Sequence, residues 1–287
     1  MPLLDLDAYR ERIGFDGPLD STIDTLRRLH RHQATTIPYE NLDLHLGRPI
    51  VVDLPSIERK LVHGHRGGYC FEQNGLLAGV LEQIGFTVLR VAARVRRGPG
   101  EEVRPRTHMA LVVTVGGQRW LSDVGFGGAT PLDPIPLVPG RVSRQGVWGY
   151  RVHDESGIWV LQTWEQGSWT DLYAFSEEPQ LQPDIEMANH YTSTHPSSRF
   201  VHVATAQLPG PRAQRYLRSQ VLETIRPGSR TVRTLRADEL LGVLAAQFGL
   251  RFAPGTRFFA PAVGGGPGLG TVAGYPQPGS SAVPGGR

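Results

Sequence analysis

Apolar residues recur at two different periods along this chain, and the change of period near Phe86 divides it. Before that point the spacing is helical. In "LDSTIDTLRRLHRHQ" Ile23, Leu26 and His30 follow Ser21 and Asp24, which predicts a helix opened by a capping box at Ser21. In "DLPSIERKLV" Asp53 reads as a cap, Pro55 as a first-turn residue, and Ile57 with Leu61 as one buried face. The most regular run is Leu77, Val80, Leu81 and Ile84, at i, i+3, i+4 and i+7, with Gly85 as its stop. Cys70 therefore falls at or just before a helix start.

After Phe86 the period is two. Leu89, Val91, Ala93 and Val95 alternate with Arg90, Ala92, Arg94 and Arg96, the pattern of a half-buried strand. "THMALVVTV" and "QRWLSDVGF" flank Gly116 and Gly117, a hairpin signal, and "GYRVHDESGIWVLQTWEQGSWTDLYAF" supplies two more turns between strands. Successive hairpins of this kind predict a small sheet or barrel. Beyond "PSSRF" come strand-like "VHVATAQL" and "TVRTL", then a helix with Leu240, Leu244 and Phe248 on one face. The last 24 residues hold nine Gly and four Pro, and so little apolar surface predicts a mobile tail.

Composition narrows the class. A chain of 287 residues with 39% hydrophobic and 20% charged residues can bury a sizeable core. The formal charge of +3 is spread over separate basic clusters without interleaved aromatics, so neither nucleic acid nor a membrane surface is an expected partner. A single cysteine excludes an internal disulfide, and no basic start, leader-like apolar run or spanning segment stands out; the expectation is a cytoplasmic protein.

That cysteine is either a small buried hydrophobe or a nucleophile. Gly67 and Gly68 before it offer backbone freedom, and the helix behind it points N–H groups and the positive end of its dipole at the sulfur, which favours thiolate and could hold an oxyanion. A thiol nucleophile needs a base, and the base an orienter. If Gly116 and Gly117 make a two-residue loop, paired positions sum to 233 and His108 lies diagonal to Asp123 on one face, about 7 Å apart at Cβ. Taken singly, His108 reads equally as a satisfied sheet residue and Asp123 as a strand-end turn residue. With Cys70 they form a Cys, His, Asp set in the chain order of cysteine hydrolases and acyltransferases.

At these residues the chain resembles a known family. "RGGYCFEQN" is similar to the signature of the arylamine N-acetyltransferases, and "IPYENLDLH", "THMALVV", "LSDVGFGG" and "STHPSSRF" resemble its companion blocks in the same order, from about residue 20 to about residue 205. The resemblance implies an α+β fold: a helical bundle over 1–86 carrying the nucleophile, a β-barrel over 87–200 carrying His and Asp, and an α/β lid over 201–262; the Gly/Pro-rich flexible tail at 263–287 is no part of the match. It implies the triad Cys70, His108 and Asp123, and a ping-pong acetyl transfer from acetyl-CoA to an arylamine or arylhydrazine, as in xenobiotic metabolism. Acetyl-CoA is then a co-substrate, with no tightly bound cofactor, no metal, and a homodimer as one assembly.

Lesser positions follow from the same resemblance. Thr107, Phe126, Gly127 and Phe200 match the CoA path, and Tyr39, Tyr69, Phe71 and Phe126 match the acceptor pocket; each aromatic could instead be ordinary core. The glycines of "GFGGAT", with Gly128 and Thr130, could offer N–H groups to a pyrophosphate. Glu72 and Arg66 suit bracing of the cysteine loop. Gln73 and His190 depart from the residues common at their positions. Open alternatives are a family amide synthase that closes polyketide macrolactams, a papain-like or transglutaminase-like hydrolase, and a binding protein without turnover.

Overall fold

The structure, a computed structural model, describes residues 3–97, 103–165 and 167–258, so the foreseen tail at 263–287 lies outside the described residues. Helices α1 (Leu6–Ile13), α2 (Ile23–Thr36), α3 (Leu54–Glu58) and α4 (Cys70–Ile84) come first, interrupted only by the two-residue strand β1 (Tyr39–Glu40), a 3₁₀ turn over Leu44–Leu46 and a π-helical turn over Arg59–His63. Asp53 caps α3 as expected, accepting from the Ser56 N–H at 2.9 Å. The cap of α2 is Thr22 rather than Ser21: its Oγ1 accepts from the Thr25 N–H at 3.3 Å, and Asp24 sits inside the first turn. Leu76, Leu77, Val80 and Leu81 of α4 are fully buried, each contributing about 1.5–3 kcal/mol of apolar burial, and Gly85 ends the helix with φ +105°.

Strands β2 (Thr87–Val95), β3 (His108–Val115), β4 (Gln118–Ser122), β5 (Ile135–Pro136), β6 (Ser143–Gln145), β7 (Trp148–Glu155), β8 (Ile158–Glu165) and β9 (Ser168–Pro179) form one antiparallel sheet in the order β5-β4-β3-β2-β9-β8-β7-β6. It curls into a near-closed barrel, drawn together where the Gly140 N–H donates to the Val152 carbonyl at 2.8 Å and Pro139 bridges Val152. The barrel interior is one apolar cluster that includes Val91, Ala110, Leu121, Val152, Leu161 and Tyr173. A second cluster joins α1, α2 and α4 to Leu111, Val113 and Trp120 on the other side of β3 and β4.

Helices α5 (Gln182–Thr194) and α6 (Arg199–His202) lead to a second antiparallel sheet, of β10 (Thr205–Leu208), β11 (Gln214–Arg218), β12 (Val221–Arg226) and β13 (Ser229–Thr234), followed by α7 (Leu240–Phe248). The strand expected at "VHVATAQL" begins only at Thr205, because the Ser198 hydroxyl accepts from the Phe200 N–H at 3.3 Å and winds Val201 and His202 into α6. β1 adds to this sheet beside β10, pairing Tyr39 with Gln207, so the cysteine-bearing region and the C-terminal sheet share hydrogen bonds. Among the described residues no helix is long and apolar enough to cross a membrane.

Candidate active site

Cys70 is the first residue of α4 and is 4% exposed. The glycines before it serve close packing, a correction to the freedom of φ expected of them: neither has a positive φ. A Cβ on Gly67 would meet the Pro38 carbonyl at 2.1 Å, and one on Gly68 would meet Glu72 at 2.7 Å. Glu72 accepts from the Tyr69 N–H at 3.0 Å, while the first two N–H groups of the helix, of Cys70 and Phe71, have no backbone acceptor among the described residues. Behind this cap a charged cluster locks the loop. Arg66 donates to Glu40 at 2.7 Å and to Asp43 at 3.0 Å, and Lys60, the only lysine in the sequence, donates to Glu72 at 2.6 Å and Asp43 at 2.7 Å. Burial raises the Glu72 carboxyl to about 7 against the pull of Lys60. Arg66 and Glu72 therefore brace the loop.

The hairpin register is the one the Gly-Gly turn implies. Val115 pairs with Gln118 and Leu111 with Ser122, and Gly116 and Gly117 both have positive φ, +56° and +76°, as a type I′ turn needs. The ladder stops there, and α4 is the reason. Asn74, one turn after Cys70, inserts its amide between the two chains: its Oδ1 accepts from the Val124 N–H at 3.0 Å and its Nδ2 donates to the Met109 carbonyl at 2.7 Å. The strands part around that amide, so His108 and Asp123 meet by side chains instead of across a ladder.

His108 Nε2 lies 2.8 Å from Asp123 Oδ2, which leaves Nδ1 for Cys70. Asp123 Oδ2 also accepts from the Tyr173 hydroxyl at 2.8 Å; Oδ1 accepts from Asn74 Nδ2 and the Gly125 N–H, each at 2.9 Å. Burial works against the Asp123 charge, but His108 and these donors outweigh it and hold the carboxyl below its usual range. Burial likewise works against the imidazolium, and Asp123, by charge and hydrogen bond, together with Cys70 overrides it and raises His108 to about 10. The rings of Phe126 and Tyr173 pack on His108 with centroids at 5.2 and 4.8 Å. Gly125 is obligatory, since a Cβ there would lie 2.8 Å from Cys70 Cα.

Of the other residues singled out, Tyr39, Tyr69, Phe71 and Phe200 gather around Cys70 in one apolar cluster, while Phe126 stands on the barrel side against His108. Tyr69 and Phe71 are buried against one another, and Thr107, Phe126 and Phe200 are the half-buried members around the thiol. Cys70 Sγ lies 3.7 Å from the Thr107 carbonyl, in position to donate. The "GFGGAT" loop does not present its glycine N–H groups as a nest. Gly127 donates to Thr130 Oγ1 at 3.1 Å and Gly128 to Gln207 Oε1, and the Gly128 carbonyl accepts from the Tyr216 hydroxyl. The C-terminal sheet thus pins the loop that follows Asp123. Gln73 ties α4 to the end of α2, donating to the Ile37 and Pro38 carbonyls at 3.0 and 2.9 Å, and His190 lines a cavity together with Asn189.

Two site residues escaped sequence reasoning as site residues. Asn74 is visible only as one letter of the cysteine motif, and Tyr173 sits in a barrel strand with no local signal. Among the described residues no group of three or more His, Cys, Asp and Glu side chains could hold a metal ion.

A family model described as N-acetyltransferase matches residues 22–256. The arylamine N-acetyltransferase of Mycobacterium tuberculosis is 40% identical over 256 residues, 87% of this chain and 90% of that one. Its solved structure superposes with a TM-score of 0.82, covering 86% of this chain and 93% of that one. The Mycobacterium marinum arylamine N-acetyltransferase, solved in complex with CoA, is 35% identical with a TM-score of 0.81 and covers 85% of this chain and 92% of that one.

Proposed function

The chain belongs to the arylamine N-acetyltransferase family, and from that premise we propose how its own residues carry acetyl-CoA-dependent acetyl transfer to an arylamine or arylhydrazine. His108 takes the proton of the Cys70 thiol. The thiolate attacks the acetyl carbonyl of acetyl-CoA, the carbon–sulfur bond to CoA breaks, and the departing CoA sulfur takes the proton from His108. The amine nitrogen then attacks the Cys70 thioester, neutral His108 removes a proton from that nitrogen, and Cys70 leaves as thiolate. The free N–H groups of Cys70 and Phe71 are placed for the oxyanion that forms in each half. Asp123 holds Nε2–H, so that Nδ1 faces the sulfur throughout.

One observation carries this reading: His108 is bonded to a buried carboxylate that receives three further donors, and Cys70 adds to the pull on its ring. Thr107, Phe126 and Phe200 form the mouth through which CoA enters, with Gly127, Gly128 and Thr130 supporting that side. Tyr39, Tyr69 and Phe71 give the acceptor its flat apolar walls. A thiol only 4% exposed suits transfer over hydrolysis, because an acyl-enzyme shielded from water waits for its amine. The division into 1–86, 87–200 and 201–262 is supported by the order of the elements, helices first, then the eight-stranded sheet, then the C-terminal sheet with α7, although the buried clusters cross these bounds.

Incubation with acetyl-CoA and no acceptor should place one acetyl group on Cys70, located by peptide mass spectrometry and absent from Cys70→Ala. An unmodified Cys70 with acetyl elsewhere would overturn the mechanism, as would sequential rather than ping-pong kinetics.

A further inference from the structure

A cavity of about 500 Å³ lies between α2 and the segments of β4, β5 and residues 141–144, and none of its lining residues belongs to the triad or to the apolar cluster around Cys70. Five arginines line it against two carboxylates. One of those carboxylates, Asp133, is already gripped by both ends of the Arg31 guanidinium. The Arg27 guanidinium lies 5.1 Å from the centroid of the Trp120 ring, and neither Arg27 nor Arg141 forms an ion pair among the described residues.

Trp120 lines the same cavity and is 6% exposed, so its packed ring forms the wall on which Arg27 lies. Guanidinium forks are donors only, and they match phosphate oxygens in pairs. The cavity exceeds by far the volume of one water, about 30 Å³, so it has room for more than a single phosphoryl group.

We propose that this cavity binds a compact anion carrying two or more linked phosphoryl groups, held by Arg27 and Arg141. The site reads the phosphate chain, whether free or part of a nucleotide. It is separate from the acetyl-transfer site.

Isothermal titration of the full chain with inorganic triphosphate tests this, alongside inorganic phosphate, ATP and adenosine. Triphosphate should bind at one site per chain, at least about tenfold more tightly than phosphate, with affinity falling as salt rises. The double variant Arg27→Gln/Arg141→Gln should weaken it at least about tenfold while acetyl transfer stays normal, since both side chains lie outside the triad. If the pair unfolds, Arg141→Gln alone, at an exposed position, carries the comparison. Binding should persist with saturating CoA. ATP equal to or tighter than triphosphate fits a site that reads the chain. Unchanged affinity in the variant, displacement by CoA, or adenosine binding as tightly as ATP would overturn the proposal, and none of these touches the test of Cys70 acetylation.

Discussion

Two histidines are buried beside consecutive residues at the end of β4, and the protein treats them in opposite ways. His30, on α2, meets the Ser122 hydroxyl through Nδ1 at 3.0 Å and the Pro131 carbonyl through Nε2 at 3.1 Å. Burial dominates there and lowers it to about 4, so it stays neutral. His108, likewise buried, meets Asp123 at 2.8 Å and, with a further pull from Cys70, is raised to about 10. Burial is common to both; the difference is a carboxylate. A hydroxyl and a carbonyl fix a neutral ring as a structural pin, whereas a carboxylate that is itself held by Asn74, Gly125 and Tyr173 favours the charged ring and so makes His108 the stronger base.

The largest test removes that difference. Asp123→Asn should lower acetyl-transfer kcat/KM about 10⁴-fold with the fold intact, and NMR titration should show His108 moving down toward the His30 range. Activity within tenfold of wild type would end the comparison. On the other side, His30→Ala should leave Ser122 and the Pro131 carbonyl unpaired beside a cavity and cost about 3 kcal/mol in urea unfolding. Its kcat/KM, measured below the unfolding transition, should stay within about threefold, for a pin takes no part in proton transfer.

The pH dependence of stability should then have two limbs of opposite sign. The folded pKa of His30 is depressed, so stability is whole above its unfolded value of about 6.5 and is lost as pH falls toward 4, by roughly 3 kcal/mol; the gap between wild type and His30→Ala should close over that range. The folded pKa of His108 is raised, so its contribution is whole below about 6.5 and is lost as pH rises toward 10, and Asp123→Asn should flatten that alkaline limb. Unfolding curves at closely spaced pH values check both slopes. The smallest effect should come from Tyr173→Phe, which deletes one donor to Asp123 and should lower kcat/KM about tenfold; no change would mean that the remaining donors suffice.

Much of this was written in local order. The period change at Phe86, the Gly-Gly turn and the apolar stripe of α4 each encode their element within a few neighbouring residues, so the helical half, the β3–β4 hairpin and the helix-start position of Cys70 are legible by inspection. The hairpin register alone brought His108 near Asp123. Strands β11 and β12 were not read, because their turn runs through Ser219 at φ +51° without a Gly or Asn signal. The pairing of β1 with β10 joins residues more than 160 positions apart, which no local pattern can announce.

What the sequence determined by itself was therefore the kind of chemistry: a nucleophile at a helix start, a base and an acid one hairpin apart, and the motifs that name the family. What only the tertiary structure decided was the state of those groups. Asn74 opens the hairpin, Tyr173 reaches Asp123 from another strand, and Gln207 with Tyr216 fixes the loop beyond it. Charge depends on which groups surround a side chain in three dimensions, and those groups come from every region of the chain. His30 and His108 carry the same ring, and only packing made one of them a pin and the other a base.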